Sequence, residues 1–437
     1  MEKLVSWFRT LFSNSFVRNV ALVTSGTVLG QAIVVAISPI LSRIYAPEDF
    51  GAFAVFASTV GILAIVASMR YEIAIPLPAE DADAWALAKL ALLGALVVGV
   101  VLLLSSGFWT GPFAQKMGLS TGQSKVVYLI PFGIVVTTSF QIMNYLVIRN
   151  SRHHVLAKSK VVQGFISASA QTGLGVVGAG APGLALGLIA GRFGSALYSY
   201  FSLNARSIEL PSLFQVAKKY SRFPKLALLS GGINALAVEM PMLLTSAIFG
   251  TGVAGLYSLA QRVVAAPMSM VGNSIAQVYM AKLGEYVRNE NTEAITLYVG
   301  IAKKLFKASI VPFALLALVS PYVFGLLFGP SWQTAGEIVR VLTPAFFARF
   351  VVVPLSQTLN YIGRQDYQLA WDLFRFIGIA IIYWVAKVAR VEYLIVFTAY
   401  SIFLTFAYVI LYAITTNMLR LTVRNWRKDF EDGCKEC

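Results

Sequence analysis

Apolar residues in this chain do not alternate with polar ones. They come in unbroken blocks of about 20, enough to cross a hydrocarbon core of roughly 30 Å as helix. Twelve blocks can be bounded, at 20–43, 50–70, 85–106, 126–148, 160–179, 183–203, 226–249, 253–281, 305–328, 337–360, 367–386 and 391–417. A spanning segment must satisfy its own backbone hydrogen bonds, which admits only helices or closed barrels, and continuous blocks select helices. The blocks at 253–281 and 391–417 exceed one bilayer thickness and are expected to tilt or run on past the membrane. The pattern predicts an all-α polytopic membrane protein of about twelve transmembrane helices.

Composition agrees, since 57% of the 437 residues are hydrophobic, against about 45–50% in soluble domains. The polar segments between blocks set the orientation through Lys and Arg. One side collects Arg149, Arg152, Lys158 and Lys160; then Arg206, Lys218, Lys219, Arg222 and Lys225; then Lys282, Arg288, Lys303, Lys304 and Lys307; and finally Arg420, Arg424, Arg427 and Lys428. The other side has Arg43, Lys116, Lys125, Lys387 and Arg390. Both termini are therefore expected in the cytoplasm. The net charge of +15 reads as this bias plus attraction to anionic lipid, not as nucleic-acid binding. Residues 1–18, with Lys3, Arg9 and Arg18 among Trp7, Phe8, Leu11 and Phe12, suggest a short interfacial helix. No cleaved signal peptide is read.

The two halves repeat. "PEDFGAFAVFAS" (47–58) aligns with "TGVAGLYSLAQR" (251–262) at an offset of 204 residues, placing Gly51 on Gly255 and Phe53 on Tyr257. Internal similarity of this kind marks transporters built from duplicated bundles. The expected organisation is a six-helix lobe at 1–203, a cytoplasmic linker at 204–225, a second six-helix lobe at 226–417 and a tail at 418–437. With an even number of spans, both lobes insert the same way up and would face each other across a cavity.

Several stretches resemble the polysaccharide transporters of the multidrug/oligosaccharidyl-lipid/polysaccharide (MOP) exporter superfamily. They are "LSRIYAPEDFGAFAVFAS", "RYEIAIPLP" with acids behind it, "FGTGVAGLYSLAQRVVAAPMSMVGNSIAQVYMAKLGE" and "LFGPSWQTAGEIVRVLTPAFFARFVVVPLSQTLNYIGRQ". The resemblance runs along nearly the whole chain and is closest to O-antigen and exopolysaccharide flippases. It implies a two-lobed fold, a bacterial inner-membrane location, and outward movement of an undecaprenyl-diphosphate-linked oligosaccharide. A monomer with membrane lipids around it is expected, with other polysaccharide-assembly membrane proteins as candidate partners.

Ionisable residues inside spans are costly and point to function. Arg192, Arg262 and Arg349 lie mid-span, Arg340 nearer the outside and Arg375 nearer the cytoplasm, against Glu239, Glu337 and Asp372. The balance is positive and the cations inside spans read as arginines alone, whose planar fork suits phosphate oxygens. Asp372 and Arg375 are three apart on one helix and could neutralise each other. Glu239 could pair with Arg262, and Glu337 with Arg340, which could instead snorkel to the interface. Arg192 and Arg349 have no local carboxylate. Arg43 and Arg70 flank spans as anchors or cavity cations, and Glu72 follows Arg70 at the expected cytoplasmic mouth. Glu80, Asp81 and Asp83 are placed to cap the next helix. Gly183, Gly187, Gly191 and Gly194 put small residues on one helix face for close packing.

Other chemistries find little support. The pair His153-His154 sits in a basic loop, Cys434 and Cys437 form one C-x-x-C in a charged tail, and no phosphate-binding glycine loop is present. No metal, cofactor or catalytic residue is expected. Proton, sodium and the membrane potential are the alternatives for driving force. The longest expected outer loop, 107–125, contains no Asp or Glu, which argues against a membrane glycan enzyme. A cation-coupled small-molecule exporter of the same superfamily is the other alternative, with Glu239 as its coupling acid.

Overall fold

The computed structural model describes residues 15–203 and 211–433, and within them every regular element is helical, with no strand. Residues 1–14 of the interfacial helix expected over 1–18, Arg206 and the Cys434/Cys437 pair lie outside the described residues. The main helices are α1 (Ser15–Ala36), α2 (Ser38–Ile44), α3 (Pro47–Ala67), α4 (Asp81–Leu104), α5 (Ser106–Lys116), α6 (Ile130–Arg149) and α7 (His153–Val176). Then follow α8 (Gly180–Leu203), α9 (Leu213–Lys219), α10 (Leu228–Arg288), α11 (Ala294–Phe328), α12 (Gln333–Val352), α13 (Gln365–Ala389) and α14 (Tyr393–Gly433).

Each of the twelve predicted blocks is occupied by helix. Nine helical stretches among the described residues are long and apolar enough to cross a membrane. The difference has two sources. Helices α7 and α8 have 24 residues each but spend many positions on Gly, Ser and charge. The seventh and eighth blocks run together in α10, whose helical path breaks at Gly250 (φ 84°, ψ 170°), a conformation open in practice only to glycine. The expected outer loop at 107–125 is also largely helical. It forms α5, where the Trp109 Nε1 donates to the Leu102 carbonyl at 2.9 Å, and a one-turn helix at Thr121–Ser124 opened by a Ser120/Gln123 capping box.

Packing divides the chain into two compact units. Of the described residues, the first holds those up to Val263 together with Gly325–Trp332; the second holds Val264–Phe324 and those from Gln333 onward. The boundary thus falls within α10. In the first unit α3, α4, α6 and α8 close around Phe56, Val60, Ala95, Ile130, Ile134 and Ala185. A second core gathers Tyr71, Ile75, Leu87, Leu146, Val155 and Val216. Val216 belongs to α9, so the described part of the 204–225 stretch is packed onto the unit. The Lys219 Nζ meets Asp83 Oδ2 at 2.6 Å. Trp332, fully buried, donates from Nε1 to the Ser42 carbonyl at 3.0 Å and stands edge-on to Phe50 at 5.0 Å.

The sequence repeat becomes a contact in this unit. A Cβ on Gly51 would overlap the Thr251 carbonyl and press on the Gly255 nitrogen; a Cβ on Gly255 would overlap the Pro47 carbonyl and press on the Gly51 nitrogen. Pro47 and Thr251 carry the same 204-residue offset as Gly51 and Gly255. The contact is therefore reciprocal, as a local two-fold relation between repeats requires. The second unit has its own cores, one around Trp371, Tyr408, Leu411 and Val351. The other surrounds Tyr279, Tyr298 and Leu419, with Tyr298 stacked on Tyr412 at 5.6 Å.

Candidate functional site

Glycines bring three helices of the first unit close enough to fix a polar cluster. Gly30 on α1 faces the Lys160 backbone on α7, and Gly164 of α7 faces the Gly30 backbone. On α8, Gly183, Gly187, Gly191 and Gly194 face Leu174, Gln171, Ser167 and Ile166 of α7, so the small-residue face is a helix–helix contact. Side chains at these positions would push the helices apart. Their absence sets Lys160, Gln171 and Arg192 in place.

Arg192 donates from Nη1 to Thr137 Oγ1 of α6 at 2.6 Å, and lies within electrostatic range of both Lys160 and Glu239. The Lys160 Nζ stands 4.1 Å above the Phe140 ring centroid, a cation–π contact that partly replaces lost water. Glu239 accepts from the Ser58 hydroxyl at 2.6 Å. Arg262 donates from Nη2 to Gln171 Oε1 at 3.3 Å. Gln171 is itself held, giving Nε2 to the Leu184 carbonyl at 3.0 Å and taking the Tyr45 hydroxyl on its own carbonyl at 2.6 Å. Arg192 Nε and Arg262 Nη1 are buried without a hydrogen-bond partner.

Two expectations are corrected. Glu239 and Arg262 form no ion pair; each bonds to a neutral partner. Lys160 is not in a loop, because α7 begins at His153 and carries it into the helix packing. The cations inside the helical body therefore include a lysine. Among the described residues none of Lys160, Arg192 and Arg262 is in an ion pair. A charge at the centre of a membrane helix costs about 2.5–3.5 kcal/mol on insertion scales. Holding three without an ion-paired carboxylate, two of them with unused donors, is an arrangement suited to an anion.

A second polar site follows α3. Met69 and Arg70 both adopt left-handed backbone, φ 51° and 62°, at a cost of about 1–3 kcal/mol each. The turn packs the Arg70 guanidinium against Gly231, where a Cβ would overlap it. Arg70 Nη1 lies 3.6 Å from Glu72 Oε1, and Glu72 is buried, with Oε2 unpartnered. Burial raises the Glu72 pKa above its usual 4.5, outweighing the opposing influence of Ser68 and Arg70. The stability this residue contributes is thus full below about pH 4.5 and is lost as pH rises through the raised value. Glu72→Gln should melt at the same or a higher temperature than wild type at pH 7.5, the gap closing toward pH 4.5. Thermal unfolding in detergent across that range checks it, and a variant destabilised only at neutral pH would contradict it.

Asp81 and Asp83 stand in the first turn of α4, where their charge favours the helix N-terminus. Glu80 is the N-cap of α4 without a side-chain cap bond. Asp81 also accepts from Arg149 at 2.9 Å and Asp83 from Lys219, cations carried by α6 and α9. Arg149 also donates to the Ile75, Pro78 and Ala79 carbonyls, tying the loop down. Arg43, on α2, is exposed.

In the second unit, Arg375 Nη2 meets Asp372 Oδ1 at 3.0 Å, both buried, with the guanidinium 4.6 Å over the Trp371 ring. Removing Asp372 takes away the carboxylate that balances the buried guanidinium, so Asp372→Ala should cost up to about 3–5 kcal/mol, and the double change Asp372→Leu with Arg375→Met should recover most of it. Unfolding of the three proteins checks this. Arg340 is exposed and donates to the Ala317 carbonyl at 3.2 Å rather than pairing with Glu337. Arg349 is exposed on α12 with no hydrogen-bond partner among the described residues.

A family described as "Polysaccharide biosynthesis protein" matches residues 40–337, more than half of the chain. The chain belongs to this family. It is similar to the succinoglycan biosynthesis transport protein ExoT of Rhizobium meliloti, 25% identical over 77% of this chain and 67% of that one. It is also similar to the teichuronic acid biosynthesis protein TuaB of Bacillus subtilis, 25% identical over 40% of this chain and 35% of that one. Among solved structures, an inward-facing multidrug resistance MATE family transporter of the MOP superfamily matches with TM-score 0.68 at 14% identity, covering 92% of this chain and 96% of that one. A MOP superfamily transporter from Pyrococcus furiosus matches with TM-score 0.64 at 14% identity, covering 94% and 96%. The fold is that of MOP transporters, and the chain is a multi-pass membrane protein.

Within this fold, the residues that sequence reading missed are Lys160, Thr137 and Gln171. Lys160 stands at the edge of an apolar block beside a basic run, where a lysine reads as loop. Thr137 and Gln171 are neutral, and the contact of Gln171 with Gly187 is tertiary, so the sequence carried no signal for either.

Proposed function

We propose that this chain is a flippase for a lipid-linked oligosaccharide. The cargo is a glycan joined through a diphosphate to a polyprenol, moved from the cytoplasmic to the outer leaflet of a bacterial inner membrane by alternating access. The observation that carries the reading is the set of cations inside the first unit, Lys160 beside Arg192 and, bonded to Gln171, Arg262. Three cations stand inside the first unit without an ion-paired carboxylate, two with unused buried donors. A diphosphate supplies several acceptor oxygens for such a cluster. Membership of a polysaccharide biosynthesis family, and a relative named as a transport protein of succinoglycan biosynthesis, point to the same class of cargo.

The chain acts as a carrier rather than an enzyme, with Arg192, Lys160 and Arg262 binding the headgroup and Glu239 as an internal counter-charge to Arg192. Arg70 and Glu72 stand at the cytoplasmic entrance. An inside-negative potential favours outward movement of the anion by about 2.3 kcal/mol per charge per 100 mV. The test is reconstitution in proteoliposomes with a fluorescent lipid-linked oligosaccharide and a membrane-impermeant quencher. Wild type should expose the protected leaflet's label, faster under a potential that drives anions toward the quencher. Export of small cations without any flipping would favour the exporter alternative instead.

A further inference from the structure

One face of α6 carries a row of polar and aromatic side chains that the anion cluster leaves largely unused. Thr137, Phe140, Gln141, Asn144 and Tyr145 recur at spacings of three and four and so share a face. Over the eight residue steps from Thr137 to Tyr145 the helix rises about 12 Å. At one end Thr137 binds Arg192 and Phe140 lies under Lys160. At the other, Tyr145 is within electrostatic range of Arg70 and Glu72. Between them sit two amides whose oxygens, Gln141 Oε1 and Asn144 Oδ1, are buried and make no hydrogen bond.

An unsatisfied buried amide costs about 1–3 kcal/mol, and a membrane interior offers no routine compensation. Leucine would fill either position without that cost. Paired amides offer donors and acceptors in fixed planes, the complement of vicinal hydroxyls. The flanking rings of Phe140 and Tyr145 present electron-rich faces to which the C–H edges of a sugar ring can pack. The charged ends hold the anion; the neutral middle has the chemistry of a saccharide.

We propose that the α6 face, through Gln141 and Asn144, is a sugar-hydroxyl subsite that reads the glycan while Arg192 and Lys160 hold its diphosphate. The inference rests on the flippase reading above and adds a specificity determinant to it. A site built to bond hydroxyls discriminates strongly against ligands lacking them.

The test uses the full chain, purified and reconstituted, with two probes. One is farnesyl diphosphate, which has the anion and no sugar; the other is the lipid-linked oligosaccharide extracted from cells that make it. Gln141→Leu and Asn144→Leu should each weaken oligosaccharide binding and transport by about tenfold, and leave farnesyl diphosphate affinity unchanged. Retained farnesyl diphosphate binding also shows that the variants fold. A double variant that transports the oligosaccharide at the wild-type rate, or loses both probes equally, overturns the subsite and leaves the flippase reading standing. Wild-type protein that binds neither probe overturns both.

Discussion

Replacing Arg192 by alanine is expected to cut transport of lipid-linked oligosaccharide by about 10- to 100-fold, the effect of losing charge-assisted hydrogen bonds worth about 1.5–3 kcal/mol. Arg192 is held by Thr137 at 2.6 Å and keeps a buried Nε unpartnered, so the side chain is positioned but not consumed by the protein. Arg192→Lys should retain part of the activity, keeping charge but losing the fork. Lys160→Gln should show a smaller loss of the same kind. Folding should not suffer in step, because removing an unpaired buried cation also removes a desolvation cost. Melting temperatures at or above wild type, alongside the transport loss, would separate binding from stability. Wild-type flipping by Arg192→Ala would exclude the residue from the site.

The largest stability effect is expected at the repeat contact. Gly51→Ala and Gly255→Ala each place a methyl on a backbone carbonyl, of Thr251 and Pro47 respectively. Backbone cannot rotate away as a side chain can. Overpacking of this kind costs about 1–3 kcal/mol even where side chains yield, so each alanine should reach or exceed the top of that range and leucine should prevent accumulation of folded protein. The reciprocity adds a sharper expectation. The two alanine substitutions act on one contact, so their combined cost should fall short of the sum of the single costs. Detergent unfolding of both single variants and the double variant measures this. Either alanine tolerated without loss of stability would show that the helices are not fixed at this point.

The helical architecture was legible because apolar blocks of membrane length leave few alternatives. Arg192 and Arg262 were legible because a charge inside such a block has no routine explanation. Asp372 and Arg375 were legible as a pair because helix geometry alone brings positions three apart together. Lys160 was not, since its place in the packing depends on α7 starting at His153 and on Gly30 letting α1 approach. The Gly51–Gly255 alignment was visible in sequence, but their contact depends on tertiary packing. The Glu239–Arg262 pairing that the sequence allowed is absent for the same reason. Ser58 and Gln171, neutral residues on other helices, take those positions, and no sequence spacing encodes that competition.

The central claim is that the first unit holds an anion site made by Lys160 and Arg192. Its most direct test is calorimetric titration of purified wild type and of the Lys160→Gln, Arg192→Gln double variant with farnesyl diphosphate at fixed ionic strength. Saturable one-site binding by wild type that disappears in a folded double variant is the predicted result. Equal affinity in both proteins would contradict the account.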